Sequence, residues 1–319
     1  MKKVLSVACA LCMTTAMLTG CGSSNNAGTA ATGEAQNSAA ASTTTEQAST
    51  ATDAGTTLIA LITMDSLDQH WVTLNEGAQK AAAELGVTVQ FMAPNTKDDA
   101  QQIECVNNAV SAGAQAIIVA ANGPDAISSA LREASDAGVK LIYVDSPANV
   151  SAEATFSTDN NAAGKTAGEE MKKALADAGV TSGSIGIINV NAATDSCVMR
   201  EEGFRSAFEG TDFELLETQY GEGDAAKSQS IAENYITQGV VGIFGCNEGS
   251  TTGAGNAIKA SGKDNVIGVG FDKSDAILGL IDDGYLLCTM AQNPDVMGYE
   301  GVKAVSYTHL RAHETDSYL

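Results

Sequence analysis

Leu58–Leu85, LIALITMDSLDQHWVTLNEGAQKAAAEL, sets the architecture of the whole chain. Leu58 to Ile62 is a short apolar run, partly β-branched, of the length that suits a strand buried on both faces. Met64 to His70 is a polar loop. Leu74, Ala78, Ala81 and Leu85 then recur at helical spacing and mark one apolar face. Strand, loop and helix form the first half of a βαβ unit, and open α/β sheets bind small ligands at the carboxyl ends of their strands. The loop at that end brings Asp65, Asp68, His70 and Trp71, residues able to bind hydroxyls or stack on rings. Taken alone, they also suit a solvated loop beside one core tryptophan.

The same rhythm continues downstream. Val87–Met92 reads as a second strand, followed by a helix with Ile103, Val106 and Val110 on one face. Ala116–Ala120 is a third strand, and Asn122-Gly123-Pro124 turns it into a helix beginning near Asp125. Leu141–Val144 is a fourth, ending at Asp145. The rhythm pauses around Phe156 to Asn160, then resumes with strands at Ile185–Val190, Phe213–Thr218, Val241–Gly245 and Val266–Gly270. Helices between them are expected near Val198–Phe208, Ala225–Gln238, Thr251–Ser261 and Asp275–Asp283. Alternating strands and helices imply parallel sheets covered on both faces. Two such series imply two doubly wound lobes of like architecture, with every strand-end loop facing the cleft between them.

The two ends of the chain read differently. Met1-Lys2-Lys3 followed by the apolar Val4 to Met17 is an export signal, shorter than the roughly 20 apolar residues of a membrane span. Leu18-Thr19-Gly20-Cys21 resembles the lipobox of bacterial lipoproteins, which makes Cys21 the expected lipidation site. Residues 22–56 are Ser, Thr, Ala, Asn and Gly with little apolar bulk, the composition of a disordered tether. About 250 residues follow, enough for two lobes with their own cores. The net charge of -22 argues against nucleic-acid binding, which needs a basic patch. Cys105, Cys197, Cys246 and Cys288 lie on separate elements without metal-ligand spacing and are expected as buried free thiols. Ser306 to Leu319 loses apolar periodicity and resembles translated vector sequence; the natural C-terminus is expected to be missing. His309 and His313 in that tail stand at helical metal-ligand spacing beside Glu314, but no metal is expected there.

The strand-end loops share one chemistry. Asp68, Asp145, Asp159-Asn160, Arg200, Asn247-Glu248, Asp272 and Gln292 supply carboxylates, amides and a guanidinium, the groups that satisfy sugar hydroxyls as donors and acceptors. Any one strand-end Asp also suits a helix cap, but Asp145 and Asp272 follow apolar strands in the same way. TLNEGAQKAA (73–82), STDNNAAGKTAG (157–168), REEGF (200–204), GIFGCNEGSTTGA (242–254), IGVGFD (267–272) and MAQNP (290–294) together resemble the ribose-type periplasmic sugar-binding proteins of ABC transporters. The resemblance covers Leu58 to about Val305. It implies the type I periplasmic-binding-protein fold, with one lobe of residues 57–158 plus 293–305 and another of 159–292. It places the ligand-binding cleft on Asp68, Trp71, Asp145, Arg200, Asn247, Asp272 and Gln292.

This chain departs from that family at several cleft positions. Asp68-Gln69-His70-Trp71 stands where the ribose proteins have Asn-Pro-Phe-Phe. Ser146 replaces an arginine, Ala120 an asparagine and Gly223 a phenylalanine. The pocket is therefore expected to be reshaped for another sugar or a polyol.

Signals for other chemistry fail. Gly164-Lys165-Thr166 ends like a phosphate loop, but Asp159 stands where glycine is required, and Ile258 breaks the dinucleotide pattern at Gly253 and Gly255. No serine–histidine pair has a strand-turn context, so no enzyme and no cofactor are expected. His70 beside Asp68 could act as a base, but a binding or solvent-facing role suits it better. The expected protein is a monomeric, exported, lipid-anchored solute-binding protein that hands a sugar or polyol to an ABC permease. The rival within the class is a component that presents ligand to a chemoreceptor or sensor kinase; an extracellular sugar-acting enzyme is a further alternative. The export signal and the absence of a helix-turn-helix before Thr57 argue against a transcriptional regulator of the same fold.

Overall fold

The structure, a computed structural model, describes residues 56–316. The export signal, Cys21 and the tether up to residue 55 lie outside the described residues. The first sheet uses β1 (Leu58–Ile62), β2 (Thr88–Met92), β3 (Ala116–Val119), β4 (Lys140–Val144) and β5 (Ala154–Phe156), all parallel, in the order β2-β1-β3-β4-β5. Between them run α1 (Gln69–Leu85), α2 (Asp99–Ser111) and α3 (Ser128–Asp136). After β5 come α4 (Asn160–Asp177), β6 (Ser182–Asn189), α5 (Asp195–Ser206), β7 (Asp212–Leu215), β8 (Gln219–Tyr220), α6 (Ala225–Gln238) and β9 (Gly242–Gly245). The chain ends with α7 (Glu248–Ser261), β10 (Ile267–Phe271), α8 (Asp275–Asp282), β11 (Cys288–Met290) and α9 (Pro294–Asp316). The second sheet runs β7-β6-β9-β10-β11, with β8 paired to β6 beyond β7. With the two-residue β8 left out of the count, each lobe has the strand order second, first, third, fourth, fifth.

Alternation along each strand feeds two cores. Ile59 and Leu61 point to the face covered by α1 and α9, where Leu74, Ala78, Val302 and Val305 are buried. Ala60 and Ile62 point to the opposite face and join Val106 and Leu131 of α2 and α3. The second sheet repeats this, with α4 and α5 on one face and α6 and α7 on the other. Sheets covered on both sides explain why the central strands read as unbroken apolar runs.

The helix after each fifth strand packs in the other lobe. α4 follows β5 but lies against α5, β10 and β11, whereas α9 follows β11 but lies against α1, β3, β4 and β5. Both junctions need close helix approach. A Cβ on Gly164 of α4 would sit 2.0 Å from the Arg200 carbonyl oxygen, and one on Gly298 of α9 would sit 2.0 Å from that of Leu74.

Several sequence expectations need correction. β5 and β11 fell in stretches where no strand was expected; both are three-residue edge strands, half-buried and without an apolar run. The third helix starts at Ser128, not near Asp125, because the chain first makes a turn after Pro124. Leu85 is 43% exposed, at the end of α1, whose buried face stops at Ala82. Cys197 and Cys246 are buried free thiols as expected, but Cys105 and Cys288 are only partly covered. The helix pattern that faded at Ser306 continues to Asp316; a helix already nucleated can propagate without apolar periodicity.

Candidate functional site

Asp145 and Asp272 occupy equivalent places in the two lobes, each directly after the fourth strand of its sheet. Both have left-handed backbone, φ 59° and 74°. Each backbone N–H donates to the fifth strand, Asp145 to the Phe156 carbonyl at 2.9 Å and Asp272 to that of Met290 at 3.0 Å. Aspartate tolerates this region better than most residues, at a cost of about 1–2 kcal/mol. The sharp reversal turns each carboxylate off the sheet end and into the cleft.

Between the two carboxylates stands His70, in the first turn of α1. Its Nε2 lies 3.2 Å from Asp145 Oδ2, and its Nδ1 lies 3.5 Å from Asp272 Oδ1. The Nε2 contact has the distance of an ion pair without hydrogen-bond alignment, so Nε2 remains unpartnered. Burial by itself would lower the imidazole pKa, but the two carboxylates outweigh it and raise it above the ordinary value. Asp145 shows the complementary effect. Burial opposes its ionisation, yet His70 and Arg200 hold its pKa down at about 2.

Arg200 reaches in from α5. Its Nε donates to Asn160 Oδ1 at 2.8 Å, its Nη1 to the Cys246 carbonyl at 3.1 Å, and its guanidinium lies 4.3 Å over the Phe271 ring. Nη2 is 3.5 Å from Asp145 Oδ2 but has no hydrogen bond. Asn247 caps α7 by accepting the Ser250 N–H and hydroxyl, which leaves its buried Nδ2 unpartnered. Gln292 donates to Asp272 Oδ1 at 2.6 Å and accepts the Thr158 hydroxyl at 2.7 Å, tying the two interlobe segments to the site.

Trp71 is buried in the first lobe's core, with its indole N–H donated to Asp65 at 3.2 Å. Its ring meets the His70 imidazole edge-on, centroids 4.6 Å apart. Asp68 accepts the Lys97 ammonium at 2.8 Å, and Lys97 also pairs with Asp65. Burial by itself would lower the Lys97 pKa, but Asp68 and Asp65 outweigh it and keep the ammonium firmly charged.

All seven residues expected from the sequence, Asp68, Trp71, Asp145, Arg200, Asn247, Asp272 and Gln292, line one interlobe cavity of about 20 Å³. That is room for about one water molecule, so the lining groups of the two lobes touch each other directly. His70, Lys97, Ser196 and Cys197 also line it and were absent from the expected set. Ser196 donates to Asp145 Oδ1 at 3.2 Å. For Lys97 the available signal was a lone cation in the loop after the second strand. Asp159, by contrast, caps α4 through the Ala162 N–H. Among the described residues no cluster of His, Cys, Asp and Glu has the arrangement to hold a metal ion, and no helix is long and apolar enough to cross a membrane.

Paired parallel-sheet lobes with a polar cavity between their strand ends define a class, and the sequence comparison agrees: residues 59–307 match the periplasmic binding protein domain, and the chain belongs to that family. The ribose import binding protein of Haemophilus influenzae is 30% identical, over 80% of this chain and 85% of its own length. Among solved structures, a carbohydrate transporter solute-binding protein from Agrobacterium radiobacter in complex with D-arabinose is similar, with TM-score 0.76 and 27% identity, covering 80% of this chain and 90% of that one. An ABC transporter solute-binding protein from Agrobacterium vitis bound to α-D-tagatopyranose gives TM-score 0.75 and 26% identity, covering 80% and 89%.

Proposed function

We propose that this protein captures a monosaccharide or similar polyol between its lobes and delivers it to the permease of an ABC importer. The observation that carries this reading is the pair of left-handed aspartates, one per lobe, facing unpartnered donors of His70, Arg200 and Asn247 in one buried cavity. A sugar hydroxyl both donates and accepts, so each can give its proton to a carboxylate and take a hydrogen bond from a neighbouring donor. Ligand entry requires the lobes to part and to close again, with residues 57–158 plus 293–305 moving against 159–292 about the segments at Thr158 and Gln292. The family is one of binding proteins, which supports capture over catalysis.

Calorimetry against a panel of sugars and polyols tests this reading. Asp272→Ala should weaken the best ligand by about ten- to a hundred-fold, the value of one charged hydrogen bond. Unchanged affinity would remove Asp272 from the site. We further propose that Cys21 is lipidated and holds the body at the outer face of the membrane; palmitate labelling that survives Cys21→Ala would refute this.

A further inference from the structure

We propose that His70 is a specificity-determining residue, donating a hydrogen bond from Nε2 to one oxygen of the ligand, so that the cleft rejects analogues lacking that oxygen. This rests on the sugar-binding reading above and goes beyond it by naming what the ligand must present. The imidazole is 6% exposed. Its Nε2 is a buried nitrogen without a hydrogen-bond partner, facing the same cavity as the unpartnered Nη2 of Arg200 and Nδ2 of Asn247.

The ring is held from three sides. The backbone N–H of His70 donates to Glu248 Oε2 at 3.1 Å and fixes the base of the side chain, Trp71 packs edge-on against the ring, and the Asp145 and Asp272 carboxylates lie 3.2 and 3.5 Å from its nitrogens. Trp71 is itself pinned through its indole N–H to Asp65. A donor fixed in this way loses little freedom on binding. A hydroxyl that gives its proton to Asp145 and accepts from His70 would complete both groups at once. A C–H group at the same point would leave Nε2 without an acceptor and Asp145 Oδ2 without a hydrogen-bond donor, and polar sites discriminate most strongly by that penalty. His70 thus presents a polar edge, not an apolar ring face, to this side of the ligand.

The test uses D-ribose, D-arabinose and D-allose, each with its singly deoxygenated analogues, titrated by calorimetry into the full-length protein. For the parent sugar that binds best, removal of one particular hydroxyl should weaken wild-type binding by about tenfold or more. In His70→Phe that ratio should fall close to one, while ratios at the other hydroxyls persist. His70→Gln, which keeps an N–H donor, should restore part of it. Ratios in His70→Phe equal to wild type at every position would overturn the proposal. Because the phenylalanine variant could fail to fold, a second measurement uses a His309→Gln/His313→Gln protein, in which His70 is the sole remaining histidine. Its ¹⁵N-labelled imidazole resonances should shift on saturation with the best parent sugar, and unmoved resonances would also overturn the proposal. If no sugar on the panel binds wild type, the sugar-binding reading falls and takes this one with it; binding with unchanged ratios removes only the role of His70.

Discussion

Arg200 is 2% exposed, and its charge is compensated by Asn160, the Cys246 carbonyl, the Phe271 ring and Asp145. Removing one member of such a buried set strands the others. Arg200→Ala should therefore destabilise the protein by about 3–5 kcal/mol, because Asp145 loses a cation it was buried with. Urea unfolding of the ligand-free protein measures this directly. At this scale the sequence was informative wherever a polar residue closes an apolar strand, as at Asp145 and Asp272. It showed Lys97 only as a lone loop cation and gave no sign of its partners Asp65 and Asp68, which lie 32 and 29 residues earlier in the chain. No local pattern encodes a contact made by folding two loops together. His70 was visible in the sequence as a loop residue, but its place between carboxylates of two lobes depends on the tertiary fold.

Helices and strands show a similar division. Long apolar runs and helical spacing located the central elements, whereas β5 and β11 escaped because short edge strands need neither an apolar run nor strict alternation. Those two strands direct the chain into the opposite lobe, so the interleaving of α4 and α9 was the part of the fold least legible from residue pattern. Helix contact at these junctions gives a sharp prediction. In Gly164→Ala the new methyl would collide with the Arg200 carbonyl, and the overpacking should cost about 1–3 kcal/mol. A thermal melt should show the loss, whereas Gly279→Ala, with open space around its position, should melt close to wild type.

Across the whole molecule, the N-termini of two helices, α1 and α8, donate backbone hydrogen bonds to side chains of the opposite lobe, α8 keeping its own cap at Ser274. The Glu248 carboxylate accepts the N–H groups of Gln69 and His70, both at 3.1 Å, while the Gln69 side chain accepts the Asp275 N–H at 3.0 Å. Asp68, the residue at the cap position of α1, makes no side-chain cap bond of its own. Glu248→Ala should favour the parted lobes, with a larger radius of gyration by X-ray scattering and ligand affinity lower by about fivefold, the worth of one cap.

Burial and then the nearby Asp68 raise the Glu248 pKa from 4.5 to about 7; the N–H groups of Gln69 and His70 pull the other way, and Asp272 adds to the rise. A carboxyl with a raised folded pKa stabilises the closed form fully below 4.5, and the effect is lost as pH rises through 7. Closure should accordingly take up a proton between those limits, visible as a buffer-dependent calorimetric heat. His70, whose pKa is raised from 6.5, takes up protons only at the upper end of this range and above, so Glu248→Gln should remove most of the uptake midway between the limits and leave a remainder near neutral pH.

The crossing of α4 and α9 also dictates an order of assembly during synthesis. The sheet laid down first has α1 over one end of one face, but Ile118 and Val144 on that face lack their covering helix until Val302 and Val305 have left the ribosome. The second half, which receives α4 from upstream, has every covering helix in hand before the last segment emerges. The lobe begun first is therefore the one finished last, and a nascent chain halted before Pro294 would expose the apolar face of its third and fourth strands to any chaperone within reach.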